Sequence, residues 1–502
     1  MTLHTRLAVG VAVVAMCVAA LGLVACSSGT TTASPESTTS ATTIPRPAGP
    51  AADLSTELTG GAGVYMATSI PFDSGATGYT QHEYVAAGTA TSYRAEGALT
   101  GDGRWTFAPD TSAPYRTRVV VRAPADPAAF SGTVVVEWLN VSAGADTDAE
   151  WATAHEELVR AGDVWVGVSA QRIGVEGGPV LVKVEGIPGS EQQGKGMKAI
   201  DPERYSTLAH PGDGYSFDIY TQVARAIRDG QGLSGLQAQR LIGAGQSQSA
   251  FALVTYVNGV QPLTKAFDGF LVHSRGAIGL ALVGPGETAN IAGAVAGTPT
   301  IFRTDQDVPV LDIQTETDVF SFFNTYAARQ PDDDHFRLWE VAGTAHADVH
   351  IVGANATSLD CGVPINNGPM HIVAKAAFRA LTTWMTTGQR PVTAPRLDVS
   401  GEPPTAARTS DGIATGGVRT PPVDVPVAAL SGAPGPNPAV ICLLVGSTAP
   451  FSAARLAELY PSRAAYTQQF EAAADATIAA GFALPEDRDA LLAFADPSGI
   501  PG

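Results

Sequence analysis

The sequence predicts an α/β fold built on a mostly parallel sheet covered on both faces. Three observations predict it. Apolar strand-like runs alternate with helix-like stretches through the middle of the chain, which is how successive βα units read. Several runs are mostly apolar, as in Thr133-Val-Val-Val-Glu-Trp138 and Val164-Trp-Val-Gly-Val168, and so read as strands, the second of them buried. Finally, a serine, an acid and a histidine each fall just past the end of such a run, where parallel sheets bind ligands.

The elements follow in order. Arg6 precedes an apolar run over 7–24 that closes on Leu23-Val-Ala-Cys26. A basic start, a short apolar stretch and small residues before a cut form a secretory signal over residues 1–25. The last four residues resemble the lipobox of bacterial lipoproteins, which implies cleavage before Cys26 and diacylglycerol on its sulfur. Residues 26–55 are rich in Ser, Thr, Pro and Ala. They carry too little apolar surface to order themselves and read as a tether. The folded domain is expected over 56–502. Residues 115–122 and 133–140 read as neighbouring strands, 148–161 as a helix, 164–169 as a strand and 217–228 as a helix. Strands follow at 241–243, 269–273 and 308–314. Residues 274–305, with Gly276, Gly279, Gly284 and Gly286, lie between two of these strands and are expected to form a mobile lid. A helix is expected over 375–385. The stretch 398–502 reads as a loop-rich, helical C-terminal extension. Within it Tyr466, Phe470 and Ile478 mark a helix that Gly481 stops, and Pro485 starts a last short one.

The chemistry centres on Leu241-Ile-Gly-Ala-Gly-Gln-Ser-Gln-Ser-Ala250. An apolar run enters a Gly-x-Ser turn and an apolar helical stretch leaves it, the layout of a nucleophile elbow with Ser247 at its tip. Gly245 supplies one of the small residues that let strand and helix approach. Ser249 stands where a second glycine is usual. Asp318 follows the strand at 308–314, and His346 sits in a small-residue loop after the strand starting at Phe336. The order Ser, acid, His is that of α/β-hydrolases. A serine hydroxyl needs a base to become a nucleophile, histidine can take and return the proton, and a carboxylate holds the imidazole tautomer. Glu316 is the alternative acid, and His350 the second choice of base. One oxyanion donor is expected at the backbone N–H of Gln248, the other at Asn140 or Val141 after the strand ending at Trp138. His346, Asp348 and His350 do not complete a metal site, which needs three or four placed ligands, and no cofactor is expected.

The chain has 502 residues, 45% hydrophobic and 16% charged, with a formal net charge of −18. Binding to a phosphate backbone needs clustered Lys and Arg, so nucleic acid is not an expected partner. Of four cysteines, Cys17 leaves with the leader and Cys26 is the lipidation site. Cys361 and Cys442 are expected to pair in an extracytoplasmic space. Their bridge would close a loop of roughly 80 residues, worth about 4 kcal/mol in the chain-entropy model.

The strings Gly132-Thr-Val-Val-Val-Glu-Trp-Leu-Asn-Val-Ser142, Val166-Gly-Val-Ser-Ala-Gln171, Gly245-Gln-Ser-Gln-Ser249, Gln314-Thr-Glu-Thr-Asp318 and Gly416-Gly-Val-Arg-Thr-Pro421 together resemble a family of bacterial secreted α/β-hydrolase-domain proteins. The resemblance runs over about residues 79–495. It implies the α/β-hydrolase fold, catalytic roles at Ser247 and His346, and the Cys361–Cys442 pair. Two function classes stand. The first is a serine hydrolase of small-molecule esters, a lipid-anchored extracytoplasmic carboxylesterase, with a serine peptidase as its variant. The second is a non-catalytic binding lipoprotein on the same fold. The intact Ser, Asp, His order favours the first.

Overall fold

The computed structural model describes residues 46–502, apart from 69, 185–188, 291–296 and 322. The expected leader, Cys26 and most of the tether lie outside the described residues. The compact unit begins at Arg46, earlier than the expected residue 56. Its first strand, β1 (Asp53–Glu57), pairs antiparallel with β2 (Tyr79–Ala95). Ala52 and Leu54 are buried, so these two apolar residues fasten a segment that composition alone assigns to the tether.

Among the described residues the main sheet has nine strands. After β1 and β2 come β3 (Phe107–Pro124), β4 (Thr133–Trp138), β5 (Val164–Val168), β6 (Arg240–Gln246), β7 (Gly269–His273), β8 (Val310–Thr315) and β9 (Phe336–Val341), in the order β1-β2-β3-β5-β4-β6-β7-β8-β9. From β5 to β9 all pairings are parallel, while β2 and β3 form a long antiparallel ribbon joined to β5. The expected neighbours at 115–122 and 133–140 are therefore not paired. β5 lies between them, because the helical crossover after β4 returns the chain to the ribbon edge. The length of β2 is not legible in its Ala-, Gly- and Thr-rich run. Its pairing partner β3 holds it in place.

Side-chain alternation sorts β4 onto both faces. Val134 and Val136 enter one apolar cluster and Val135 the other. The first cluster is covered by α2 (Ser216–Arg228) and α3 (Gln248–Thr255), through Phe217, Tyr220, Phe251 and Val254. The second is covered by α1 (Ala149–Ala161) and α4 (Met370–Thr387), through Trp151, Leu158, Phe378 and Leu381. Every residue of β4, β5, β7, β8 and β9 is buried, as a sheet covered on both sides requires.

Two other stretches depart from expectation. The strand expected over 308–314 runs through Thr315 and passes directly into a helical turn, Glu316–Phe320. Thr315 caps it by accepting from the Asp318 N–H while the Asp318 carboxylate accepts from the Thr315 N–H, a capping box of the Thr-x-x-acid kind. The described part of 274–305 lies against the core. Arg275 is buried and pairs with Asp312, Leu280 enters the first cluster, and Gly276 packs on Phe251, where a Cβ would meet the ring at 2.6 Å. None of its residues lines the cavity at Ser247.

In the C-terminal extension, residues Ala428–Ser431 and Ser447–Pro450 form a two-stranded ribbon. Helix α5 (Arg463–Ala479) starts on the Ser462 cap and buries Tyr466 and Phe470. Cys361 and Cys442 are joined by a disulfide.

Candidate active site

β6 delivers the chain into Ser247 and α3 takes it away at once. Ser247 has φ 60° and ψ −122°, a left-handed conformation that costs a non-glycine residue of order 1–3 kcal/mol. The surroundings hold it there. The Ser247 N–H donates to the carbonyl of His273 at the end of β7 (2.9 Å), and its own carbonyl accepts from Phe251 in α3 (3.1 Å). A Cβ on Gly245 would lie 3.1 Å from the Ser249 backbone and side chain, so strand and helix touch there and only a small residue fits comfortably. Ser249 fits opposite because its hydroxyl turns back and donates to the Gln246 carbonyl (2.8 Å).

The structure brings together Ser247, His346 and Asp318. His346 Nε2 lies 2.8 Å from Ser247 Oγ, and His346 Nδ1 lies 2.6 Å from Asp318 Oδ1. The imidazole stacks on Phe323, with ring centroids 4.5 Å apart, which fixes its plane. Asp318 is fully buried. Its second oxygen accepts from both the N–H and the hydroxyl of Thr315, each at 2.7 Å. Burial pushes the Asp318 carboxyl up, but the facing His346 and the Thr315 hydroxyl outweigh it and hold it below the ordinary carboxylate value. An ionised acid behind the imidazole keeps the proton on Nδ1 and leaves Nε2 to accept from the serine.

Glu316 is turned away from this line. It pairs with Arg408, and accepts from the Ser431 hydroxyl (3.2 Å) and the backbone N–H groups of Gly432 (3.0 Å) and Gly343 (3.1 Å). It ties the acid-bearing helical turn to the histidine loop and to the C-terminal ribbon. His350 is also elsewhere. Its Nε2 donates to the Ala152 carbonyl (3.0 Å) and its ring stacks on His371 with centroids 3.9 Å apart. Among the described residues no group of three or more His, Cys, Asp or Glu could hold a metal ion.

The expected oxyanion residues are placed differently from one another. Gln248 opens α3, so its N–H belongs to the first turn, whose donors have no partner inside the helix. The Asn140 N–H donates to the Thr147 carbonyl (3.0 Å), which removes it from the site. The Val141 N–H donates to Gln248 Oε1 (3.2 Å), and Val141 does not line the cavity at Ser247, whereas Asn140 does. The Asn140 side chain is fixed by what surrounds it. Oδ1 accepts from the Ser142 N–H (2.8 Å) and hydroxyl (2.7 Å), and one Nδ2 hydrogen goes to the Gln246 carbonyl (2.9 Å). The amide can sit only this way round, because a carbonyl cannot donate and an N–H cannot accept.

Sequence reasoning missed the brace behind these donors. Gln248 Nε2 and Trp138 Nε1 both donate to Gln171 Oε1, at 2.5 and 3.0 Å. With the Val141 contact, this links the ends of β4 and β5 to the first turn of α3. The one sequence signal is a glutamine at the start of a mostly apolar helix, Gln248-Ser-Ala-Phe-Ala-Leu253, where a buried amide must find partners.

The cavity at Ser247 measures about 180 Å³ and is lined by small and aliphatic side chains beside Asn140, Ser142 and Asp148. Asp148 is neutralised by Arg122, 2.6 Å away. Ile441 and Leu444 form part of the wall. They come from the helical turn Val440–Leu444, which the disulfide holds to the loop carrying Cys361.

A mostly parallel sheet with this strand order, and a strained serine between its central strand and the following helix, is the α/β-hydrolase fold. The chain belongs to the alpha/beta hydrolase domain family, which it matches over residues 48–493. No curated protein matches it. Among solved structures it is similar to an α/β serine hydrolase without a lid from Xanthomonas campestris, at 15% identity over 52% of this chain and 85% of that one, with a TM-score of 0.28. It is also similar to one of two fungal esterases from Rhizomucor miehei, at 9% identity over 60% and 86% of the chains, with a TM-score of 0.31. An α/β serine hydrolase homologue from Coxiella burnetii matches at 14% identity over 46% and 84%, with a TM-score of 0.25.

Proposed function

We propose that this protein is a carboxylesterase that works through an acyl-enzyme on Ser247. The observation that carries the reading is the unbroken line from Ser247 Oγ to His346 Nε2 and from His346 Nδ1 to Asp318 (2.8 and 2.6 Å), set at the rim of a cavity. Ser247 Oγ attacks the ester carbonyl carbon as its proton passes to His346 Nε2. The carbonyl π electrons move onto oxygen. The oxyanion is met by the Gln248 N–H and by the second Nδ2 hydrogen of Asn140, the one not used on Gln246. Removing a donor of this kind typically costs 10²–10³ in turnover. When the carbonyl re-forms, the bond to the alcohol oxygen breaks and that oxygen takes the proton from His346. Water then attacks the acyl carbon, giving its proton to His346. The bond to Ser247 breaks, Oγ recovers the proton, and the carboxylic acid leaves.

Asp318 makes and breaks no bond in this scheme. It stabilises the imidazolium and fixes the tautomer. The Gln171–Gln248 brace sets where the Gln248 N–H points. The partner is a small-molecule ester. Placement at a membrane through lipid on Cys26 rests on the Leu23-Val-Ala-Cys26 sequence, and the enzyme is then held outside the cytoplasm by two or more acyl chains, since one chain binds only marginally.

The test is labelling by a fluorophosphonate together with hydrolysis of p-nitrophenyl acetate. The expected result is that the wild type reacts with both, and that Ser247→Ala is not labelled and loses on the order of 10⁴–10⁶ in turnover. A folded Ser247→Ala that keeps full activity removes the mechanism and directs attention to Ser249.

A further inference from the structure

The cavity at Ser247 does not stand alone. A second cavity of about 300 Å³ adjoins it, and Ala67, Thr68, Ala143, Ile351 and Ile441 line both, so the two meet. Sockets for drug-sized ligands begin at about 300 Å³. The space at the serine is smaller than that and the second reaches it. A substrate whose carbonyl sits at Ser247 therefore has room for one compact group beside the nucleophile and for a longer arm beyond the shared wall.

The walls specify the chemistry of that arm. Among the described residues neither cavity is lined by Lys or Arg, and the only acid in either lining is Asp148, already paired with Arg122. The second cavity is faced largely by aliphatic and thioether side chains, Met66, Val184, Val352 and Leu359 among them, with neutral polar groups between. A carboxylate or phosphate entering it would lose water and gain no cation, which is unfavourable. The chain's formal net charge of −18 works in the same direction at longer range. Four separate stretches of the chain make the shared wall. The segment ahead of β2 gives Ala67 and Thr68, the loop after β4 gives Ala143, and the two sides of the disulfide give Ile351 and Ile441.

We infer that the second cavity is a specificity subsite for the longer, uncharged and mainly apolar arm of the ester, and that esters carrying a terminal carboxylate or phosphate on that arm are rejected. The inference rests on the hydrolase reading and names the substrate class of the same site.

The experiment changes Met66, which lines the second cavity and not the first. kcat/KM is measured for p-nitrophenyl acetate and octanoate, and for the acetates of ethanol and octanol, so that the acyl and alcohol sides are varied separately. Met66→Trp fills the subsite and is expected to lower the long-to-short ratio at least tenfold in one series. Met66→Ala enlarges it and is expected to raise the same ratio about threefold. Opposite shifts at one position cannot come from misfolding. The series that responds assigns the arm. An octanoate analogue ending in a carboxylate is expected to react at least tenfold more slowly than octanoate. If neither series responds to either variant, or the carboxylate is accepted equally well, the subsite is refuted. Labelling of the wild type by a fluorophosphonate keeps the two readings apart. A wild type that labels at Ser247 while the ratios stay fixed loses the subsite alone, whereas one that neither labels nor hydrolyses any ester loses the hydrolase reading and the subsite with it.

Discussion

Asp318→Asn is the perturbation that tests the acid most directly, because the structure dictates how asparagine must sit. Asp318 Oδ2 accepts from the Thr315 N–H and hydroxyl, both at 2.7 Å. The backbone N–H can only donate, so the asparagine carbonyl must take that place and its NH₂ must face His346 Nδ1. That NH₂ then donates to Nδ1 and moves the ring proton to Nε2, 2.8 Å from Ser247 Oγ. In this tautomer Nε2 cannot accept the serine proton. The expected fall in kcat is about 10⁴, as in serine triads where the same exchange traps the wrong tautomer, equivalent to about 5.5 kcal/mol. The fold should survive, since size and the Thr315 contacts are kept. Glu316→Gln is the comparison. It weakens the pairing with Arg408, whose side chain is 27% exposed. The loss should therefore fall between that of an exposed and a buried pair, about 1–2 kcal/mol, with kcat changed by less than about threefold. Both variants are assayed on p-nitrophenyl acetate and by thermal melting. A Glu316→Gln that loses more turnover than Asp318→Asn, or an Asp318→Asn within tenfold of the wild type, refutes the assignment of the acid.

Three further outcomes are expected. Replacing Cys361 and Cys442 by serine should lower stability in thermal melts by up to about 4 kcal/mol and raise KM for long-arm esters more than for acetate, because Ile441 and Ile351 lose their clamp; an unchanged melt and an unchanged ratio of the two would sink the idea. Burial raises the Asp348 carboxyl from 3.8 to about 6, against hydrogen bonds from Ile351 and His350. A raised acid favours the fold when protonated, so this stability is complete below about pH 4, falls as pH rises towards 6 and is lost above it. Asp348→Asn can still accept from the Ile351 N–H and escapes that loss, so it should be more stable than the wild type by up to about 3 kcal/mol at pH 8 and equal to it near pH 3.5; a difference that grows on acidification contradicts this. Cys26→Ser should abolish metabolic lipid labelling and move the protein from the detergent phase to the aqueous phase, and unchanged partitioning removes the lipoprotein reading.

What the sequence disclosed and what it hid divide along a physical line. Elements that bury apolar runs on both faces, such as β4, β5 and β8, announce themselves, since short runs rich in β-branched and aromatic residues, Val-Val-Val or Val-Trp-Val, favour a buried strand. The elbow at Ser247 does so as well, because the sharp turn admits few residue types. The partners of strands are another matter. Nothing in residues 115–140 says that β5, a crossover later, will sit between β3 and β4, and nothing in Tyr79–Ala95 says that it is one long strand, because its Ala-, Gly- and Thr-rich run carries no clear apolar alternation and its length is set by pairing with β3. The acid was ambiguous for a related reason. Asp318 and Glu316 stand two apart on the same turn, with no apolar pattern to separate them. Side-chain direction separates them once Thr315 caps the helix, and the Thr-x-x-Asp spacing that makes this cap was already legible. A carboxylate that closes a capping box is held by its own helix, with one oxygen left to face outward. Glu316, free of that constraint, reaches Arg408 and Gly432 instead. The same reasoning applies at Asn140. Its role in the proposed oxyanion site passes from the main chain to the side chain because Thr147, seven residues later, takes its N–H across a tight bridge. Residue type and spacing thus name the residues that can do the work, and the backbone and capping bonds formed around them decide which of their atoms are left free to do it.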